Sequence, residues 1–134
     1  MSNKKLGNSF EQEFCEILFE KGFWVHNLAQ NASGQPADVI AVRQGIAHLI
    51  DCKVCSNGKF PLSRIEENQH MAMRMWMSCG NGSAWFALKV GDDIYMIEYT
   101  SLVLLRQHTT TLQACDIYSV CTHIDDWMNW GNNA

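Results

Sequence analysis

Apolar residues near the start of the chain recur at helical spacing: Phe10, Phe14, Ile17 and Leu18 fall at i, i+4, i+7 and i+8. They make one stripe of an amphipathic helix. With Asn8 or Ser9 as its N-cap and Gly22 as its stop, this helix is predicted over residues 9–20. The period then shortens to two. Residues 23–28 read as a strand, 31–36 as a turn, and 37–43 and 46–54 as two strands joined at Gln44-Gly45, a hairpin connection. After a loop over 55–62, Ser63 and Glu66 form an S-x-x-E capping box. It opens a second helix that runs to about Ser78, with Ile65, Ala72, Met73 and Trp76 as its apolar stripe. Residues 83–90 and 94–99 make another hairpin, and short helices are predicted near 102–107 and after Thr122. The order α-β-β-β-α-β-β predicts an α/β fold, a mixed central β-sheet flanked by helices. No repeat, low-complexity tract or linker interrupts it. The 134 residues are expected to form a single domain with a core over about 7–100 and a C-terminal extension over 101–134.

One predicted strand carries chemistry. In Ile46–Val54, IAHLIDCKV, Asp51 and Lys53 share one face while Ile50, Cys52 and Val54 share the other. An acid and an amine near the end of an apolar strand are costly to bury unless they pair or take part in chemistry. The preceding strand carries one acid, Asp38, at its start. Counting outward from the turn, Arg43 faces Ile46 and Asp38 faces Asp51. Two neighbouring carboxylates repel unless a cation sits between them. A hard divalent cation accepts such oxygens and keeps places for water and phosphate. An ammonium two residues on can orient the attacking water or offset charge on the phosphate. Asp38, Asp51 and Lys53 thus have the parts for phosphodiester hydrolysis. A plain ion pair between Asp51 and Lys53, with Asp38 a turn residue, accounts for the same three side chains, because exposed pairs are common and nearly neutral in energy.

The helices add two polar residues on apolar faces. At about 100° per residue, Glu11 falls beside Phe14 and Leu18, whereas Glu13, Glu16 and Glu20 fall on the opposite side. Glu11 either leans toward the carboxylates or simply favours the helix dipole from its first turn. Gln69 lies within the stripe of the second helix, and a buried amide needs partners. A catalytic pocket or a loop carbonyl would supply them. The Met71, Met73, Met75 and Met77 series reads as core filling and partly exposed packing. His26, His48, His70, His108 and His123 show no ligand spacing and read as incidental.

Composition narrows the partners. Apolar residues at 47% suffice for a core, and charged residues at 18% argue against disorder. The net charge of −4 leaves little basic surface for a polyanion, although carboxylates that hold a cation count as negative only without it. Lys4 and Lys5 on a mobile N-terminus, Lys59 in the loop after the third strand, and Arg64 in the first turn of the second helix are the expected phosphate contacts. Cys52 and Cys55 have CxxC spacing, but no second pair accompanies them. Their odd offset also sends them to opposite faces, so small buried hydrophobes are expected. With no secretory leader and no long apolar run, a cytoplasmic protein without membrane contact is expected. Trp127, Met128 and Trp130 near the end suit either an interface or a fold-back onto the sheet.

Three runs in this order and spacing, GNSFEQEF, GQPADVIAVRQGIAHLIDCKV and KFPLSRIEENQ, resemble the RecU-type Holliday junction resolvases. They are also similar to the archaeal resolvases of the same PD-(D/E)XK nuclease superfamily. Matching residues are Gly7, Phe10, Glu11, Asp38, Asp51, Lys53, Phe60, Leu62 and Gln69, over roughly residues 7–100. The resemblance implies a restriction-endonuclease-like core and Mg²⁺ or Mn²⁺ held by Glu11, Asp38, Asp51 and the backbone carbonyl of Cys52. It also implies Lys53 as the catalytic lysine and Gln69 as support, with a homodimer cutting branched DNA, such as a four-way junction, by paired incisions. The short segment 29–37 lacks the long stalk-like insertion of the RecU type. A restriction- or repair-type nuclease of the superfamily would use the same residues. A catalytically silent DNA-binding or assembly module of the same fold would not need the intact set.

Overall fold

The computed structural model describes residues 3–28 and 37–129. The first helix, α1 (Asn3–Glu20), begins six residues before the expected start. Lys4, Lys5 and Leu6 are good helix formers, and a single glycine, Gly7, costs only about 1 kcal/mol inside a helix. Asn8 and Ser9 therefore lie within the helix and do not cap it, and Lys4 and Lys5 belong to its first turn instead of to a mobile arm. The other end stops where expected. Gly22 has φ +87°, its N–H donates to the Phe19 carbonyl, and the Phe23 N–H donates to that of Leu18. This pair of bonds is a Schellman motif, which glycine adopts without a Cβ penalty.

The strands β1 (Trp24–Asn27), β2 (Val39–Arg43) and β3 (Ile46–Val54) form an antiparallel meander. Gln44 and Gly45 both have positive φ at the β2–β3 turn, the backbone of a two-residue type I′ hairpin. The expected register holds: Arg43 faces Ile46 and Val39 faces Ile50. The chain then makes a two-residue strand β4 (Phe60–Pro61), a 3₁₀ turn (Leu62–Arg64) and α2 (Glu67–Ser78). It returns as β5 (Ala84–Val90), parallel to β3, and turns back as β6 (Asp93–Glu98). Helix α2 starts later than expected. Ser63 lies in the 3₁₀ turn, and the capping box uses Glu66 and Gln69. Arg64 is accordingly in the 3₁₀ turn as well.

Beyond Thr100 the chain is more structured than its pattern suggests. Helix α3 (Tyr99–Leu105) begins three residues before the expected 102, and β7 (Thr111–Leu112), α4 (Ala114–Val120), β8 (Thr122–His123) and α5 (Ile124–Asn129) follow. Strand β8 completes a six-stranded sheet of order β1-β2-β3-β5-β6-β8, and β7 pairs with β4. Two apolar layers sandwich the sheet. Phe10, Phe14 and Leu18 of α1, with Trp127 and Met128 of α5, cover one face. Ile65, Met73, Leu102 and Ile117 cover the other. Trp127 stacks on Phe23 at 5.5 Å, which is the fold-back alternative, and Trp130 lies outside the described residues. Cys52 and Cys55 fall in opposite layers, and the six cysteines are unpaired.

Candidate active site

Strand β3 sits at the centre of the sheet, and β2 begins one residue after Asp38. Asp38 continues the ladder, its N–H donating to the Ile50 carbonyl at 3.1 Å. Its Oδ2 then accepts the Cys52 N–H at 2.7 Å. A carboxylate thus takes the place that a further β2 peptide would have filled. Alternation along β3 turns the Cys52 carbonyl to this same side, past the end of β2.

Asp51 lies beside Asp38 and is only 2% exposed. Lys53 Nζ approaches its Oδ2 to 3.1 Å, yet that oxygen receives no hydrogen bond of good geometry. Burial pushes the Asp51 carboxyl well above its ordinary range. The negative charge of Asp38 adds to the rise and Lys53 opposes it. Glu11 reaches the same cluster from α1. Burial first, then a hydrogen bond to Asp38 and the Asp38 charge, raise its carboxyl from 4.5 to about 8, against the pull of Lys53. Glu13, Glu16 and Glu20 are exposed, as their helical positions require. The ion pair of Asp51 and Lys53 exists, but it is buried and Asp38 is no mere turn residue, so neither half of the plain surface-pair reading holds.

Among the described residues no three His, Cys, Asp or Glu side chains form a ready-made metal cage. The donor set nevertheless fits a hard cation. Mg²⁺ is commonly held by one or two carboxylates plus water and phosphate oxygens. Buried carboxylates with one oxygen lacking a hydrogen bond are what such a cation would relieve. The Cys52 thiol is no candidate ligand, because burial and then the charges of Asp38 and Asp51 hold it protonated.

Gln69 is buried, and its Oε1 accepts the Glu66 N–H at 3.1 Å. The amide thus has a local task in the capping box of α2. Lys59 is exposed. Arg64 is exposed too, with Nη1 on the Val54 carbonyl at 2.8 Å and its guanidinium 5.8 Å from the centre of the Phe60 ring. The side chains of Lys4 and Lys5 lie outside the described residues. One basic residue escaped the sequence reading. Lys89 of β5 faces Val54 and lines a groove of about 410 Å³ with Ser9, Glu13, Val54 and Ser56. Its ammonium is 2.7 Å from Glu13. The signal was present, since Lys89 interrupts an apolar strand near its end just as Lys53 does.

The histidines are not all incidental. His70 Nδ1 is 2.8 Å from the Tyr99 hydroxyl, and Arg106 Nη1 is 3.1 Å from His70 Nε2. His48 is buried against Trp85.

Known proteins resemble this chain in sequence and in fold. The family model for the archaeal Holliday junction resolvases (Hjc) matches residues 2–125. The crossover junction endodeoxyribonuclease Hjc of Sulfolobus acidocaldarius is 27% identical over 105 residues, covering 76% of this chain and 72% of the relative. The solved structure of Archaeoglobus fulgidus Hjc, a Holliday junction resolvase from an archaeal hyperthermophile, superposes with a TM-score of 0.71. It covers 91% of this chain and 99% of that one at 15% identity, a likeness of fold. With a family match over nearly its whole length, the chain belongs to the archaeal Holliday junction resolvase family.

Proposed function

We propose that this chain is an endonuclease that resolves Holliday junctions by metal-dependent hydrolysis of phosphodiesters. The observation that carries the reading is the meeting of Glu11, Asp38, Asp51 and Lys53 at one end of β3, three carboxylates brought together beside one ammonium. Glu11, Asp38, Asp51 and the Cys52 carbonyl are the oxygens to hold Mg²⁺ or Mn²⁺. When bound, the ion supplies Lewis-acid stabilisation of the phosphate and a more acidic water. Lys53 places its ammonium beside the reacting phosphate, where it offsets developing charge. Asp51 fixes that ammonium at 3.1 Å. Glu11, held protonated near neutral pH, gives up its proton when a cation takes its place. Lys59 and Arg64, in the segment after β3, and Lys89 in the neighbouring groove serve as phosphate contacts. Gln69 keeps α2 in register beneath the loop and supports the site indirectly.

Two opposed cuts in a near-symmetric junction call for two copies of the site, which a C2 homodimer supplies most simply. Met71 and Met75, 61% and 65% exposed on one face of α2, offer apolar surface for that pairing. The test is cleavage of a synthetic four-way junction beside duplex and flap DNA, with and without Mg²⁺, and light scattering on the same samples. Paired, symmetric nicks in the junction alone, from a dimer, are expected. Equal cleavage of duplex indicates a restriction- or repair-type nuclease, and binding without cleavage indicates a silent module.

A further inference from the structure

Among the described residues β1 is an edge strand, and its two faces differ. Val25 points toward α1 and packs in that layer. Trp24 and His26 point the other way, where α2 and α3 pack over β5 and β6. Trp24 is 61% exposed, and His26 is exposed as well. Their rings stack with centroids 6.1 Å apart and planes 18° apart. Side by side, the two rings make one exposed aromatic surface on the edge strand.

The register links this pair to the carboxylates. Trp24 faces Val42, which faces Ala47; His26 faces Ile40, which faces Leu49. The next row on the same face holds Asp38 and Asp51. The rings and the acids therefore share one side of the sheet, and the Trp24 row lies four residues from the Asp51 row, about 13 Å at 3.3 Å per residue. That is about four nucleotide steps of stacked DNA at 3.4 Å each.

We infer that Trp24 and His26 form a stacking platform for an unpaired nucleobase near the branch point of the DNA. The inference rests on the junction reading above and names what the site recognises beyond phosphate. In continuous duplex every base is stacked on its neighbours and offers no free face. At a branch point a base can leave the stack, and every base has a π-face to place on an aromatic ring. A place on the same sheet face as Asp51, two residue rows away, favours DNA as the occupant. A histidine edge and the polar backbone edge of β1 also suit a wet, polar-rimmed ligand better than a dry protein contact.

The test uses the full-length protein in Mg²⁺-free buffer, so that no strand is cut. A four-way junction with 2-aminopurine at its branch point is compared with sequence-matched duplex. Trp24→Ala is expected to weaken junction binding about tenfold, with duplex binding changed less than about twofold. The aminopurine signal change on binding is lost with it. Trp24→Phe keeps an aromatic face and retains both readouts, and His26→Ala gives a smaller loss of the same kind. Equal losses on junction and duplex, or unchanged binding in Trp24→Ala, overturn the platform while leaving the nuclease reading intact. A shift in oligomeric state on Trp24→Ala also overturns it, in favour of a contact between copies. A wild-type protein that binds junction no better than duplex overturns the junction reading and the platform together.

Discussion

His48 and Asp51 stand three residues apart on β3, both buried, on opposite faces of the sheet. The protein treats them differently. His48 Nδ1 accepts the Trp85 indole N–H at 3.1 Å, and its ring packs edge-on against Trp127 at 5.3 Å. Burial, and then the charge of Arg43, lowers its pKa, so the imidazole stays neutral among aromatic neighbours. Asp51 has a like charge beside it, a lysine at 3.1 Å and one oxygen without a hydrogen bond. A buried polar group that its neighbours satisfy contributes to folding. Carboxylates buried against one another, with one ammonium between them, mark a place where a cation can bind.

The largest effect expected from this contrast is on chemistry. Asp38→Asn or Asp51→Asn should lower Mg²⁺-dependent junction cleavage on the order of 10³-fold, while the metal-free protein melts at the same temperature or higher because a repulsion is removed. Cleavage near the wild-type rate in either variant would erase the distinction between the two ends of β3. Lys53→Ala comes next. Turnover should fall about 10²-fold with metal affinity nearly unchanged, since the ammonium acts on phosphate or water. Single-turnover rates and Mn²⁺ titration separate these outcomes, and a collapse of the fold instead would make Lys53 a structural partner of Asp51.

His48→Ala probes the other end. It should cost about 2 kcal/mol in denaturant unfolding through a cavity and an unpaired indole N–H, with cleavage per folded molecule unchanged. A smaller effect concerns Glu11. Its carboxyl titrates at about 8 in the fold and at 4.5 as a free group. Between those values the folded chain binds more protons than the unfolded one, so stability falls as pH rises. The contribution is fully present below about 4.5 and lost through about 8. The metal-free protein should therefore melt lower at pH 8 than at pH 5, and Glu11→Gln should flatten that dependence. A melting temperature that rises over the same interval in the wild type would contradict the buried, proton-holding state of Glu11.

Much of the candidate site's geometry was legible because it obeys two periodicities. Strand alternation put Asp51 and Lys53 together, hairpin counting brought Asp38 opposite, and the helical angle singled out Glu11 from three other glutamates. What stayed hidden depends on contacts distant in sequence. The burial of His48 needs Trp85 from β5 and Trp127 from α5, neither of which lies near it in the chain. Strands β7 and β8 are two residues each, too short for any period, and exist only because β4 and β6 offer partners. Ser63-x-x-Glu66 looked like a cap, but Pro61 and the 3₁₀ turn that follows it delay the helix, and Glu66 with Gln69 forms the box in its place.

The smallest expected effect compares two ways of presenting a cation to DNA. Lys59 is exposed at the end of a loop, whereas Arg64 is held by the Val54 carbonyl at 2.8 Å and rests over Phe60. A phosphate contact at either residue releases about one counterion, so each alanine variant should reduce the slope of log affinity against log salt by about 0.9. The two should differ in the intercept. Arg64 loses less side-chain entropy on binding because its geometry is already fixed, so Arg64→Ala should weaken binding more than Lys59→Ala at equal salt. Arg64→Lys keeps the charge but not the planar fork, and should restore the slope without restoring the affinity. Filter-binding or anisotropy titrations at four salt concentrations are enough to measure all three. If the slope is unchanged in both alanine variants, the backbone of the DNA does not pass the loop after β3, and Lys89 in the neighbouring groove becomes the first residue to test in their place.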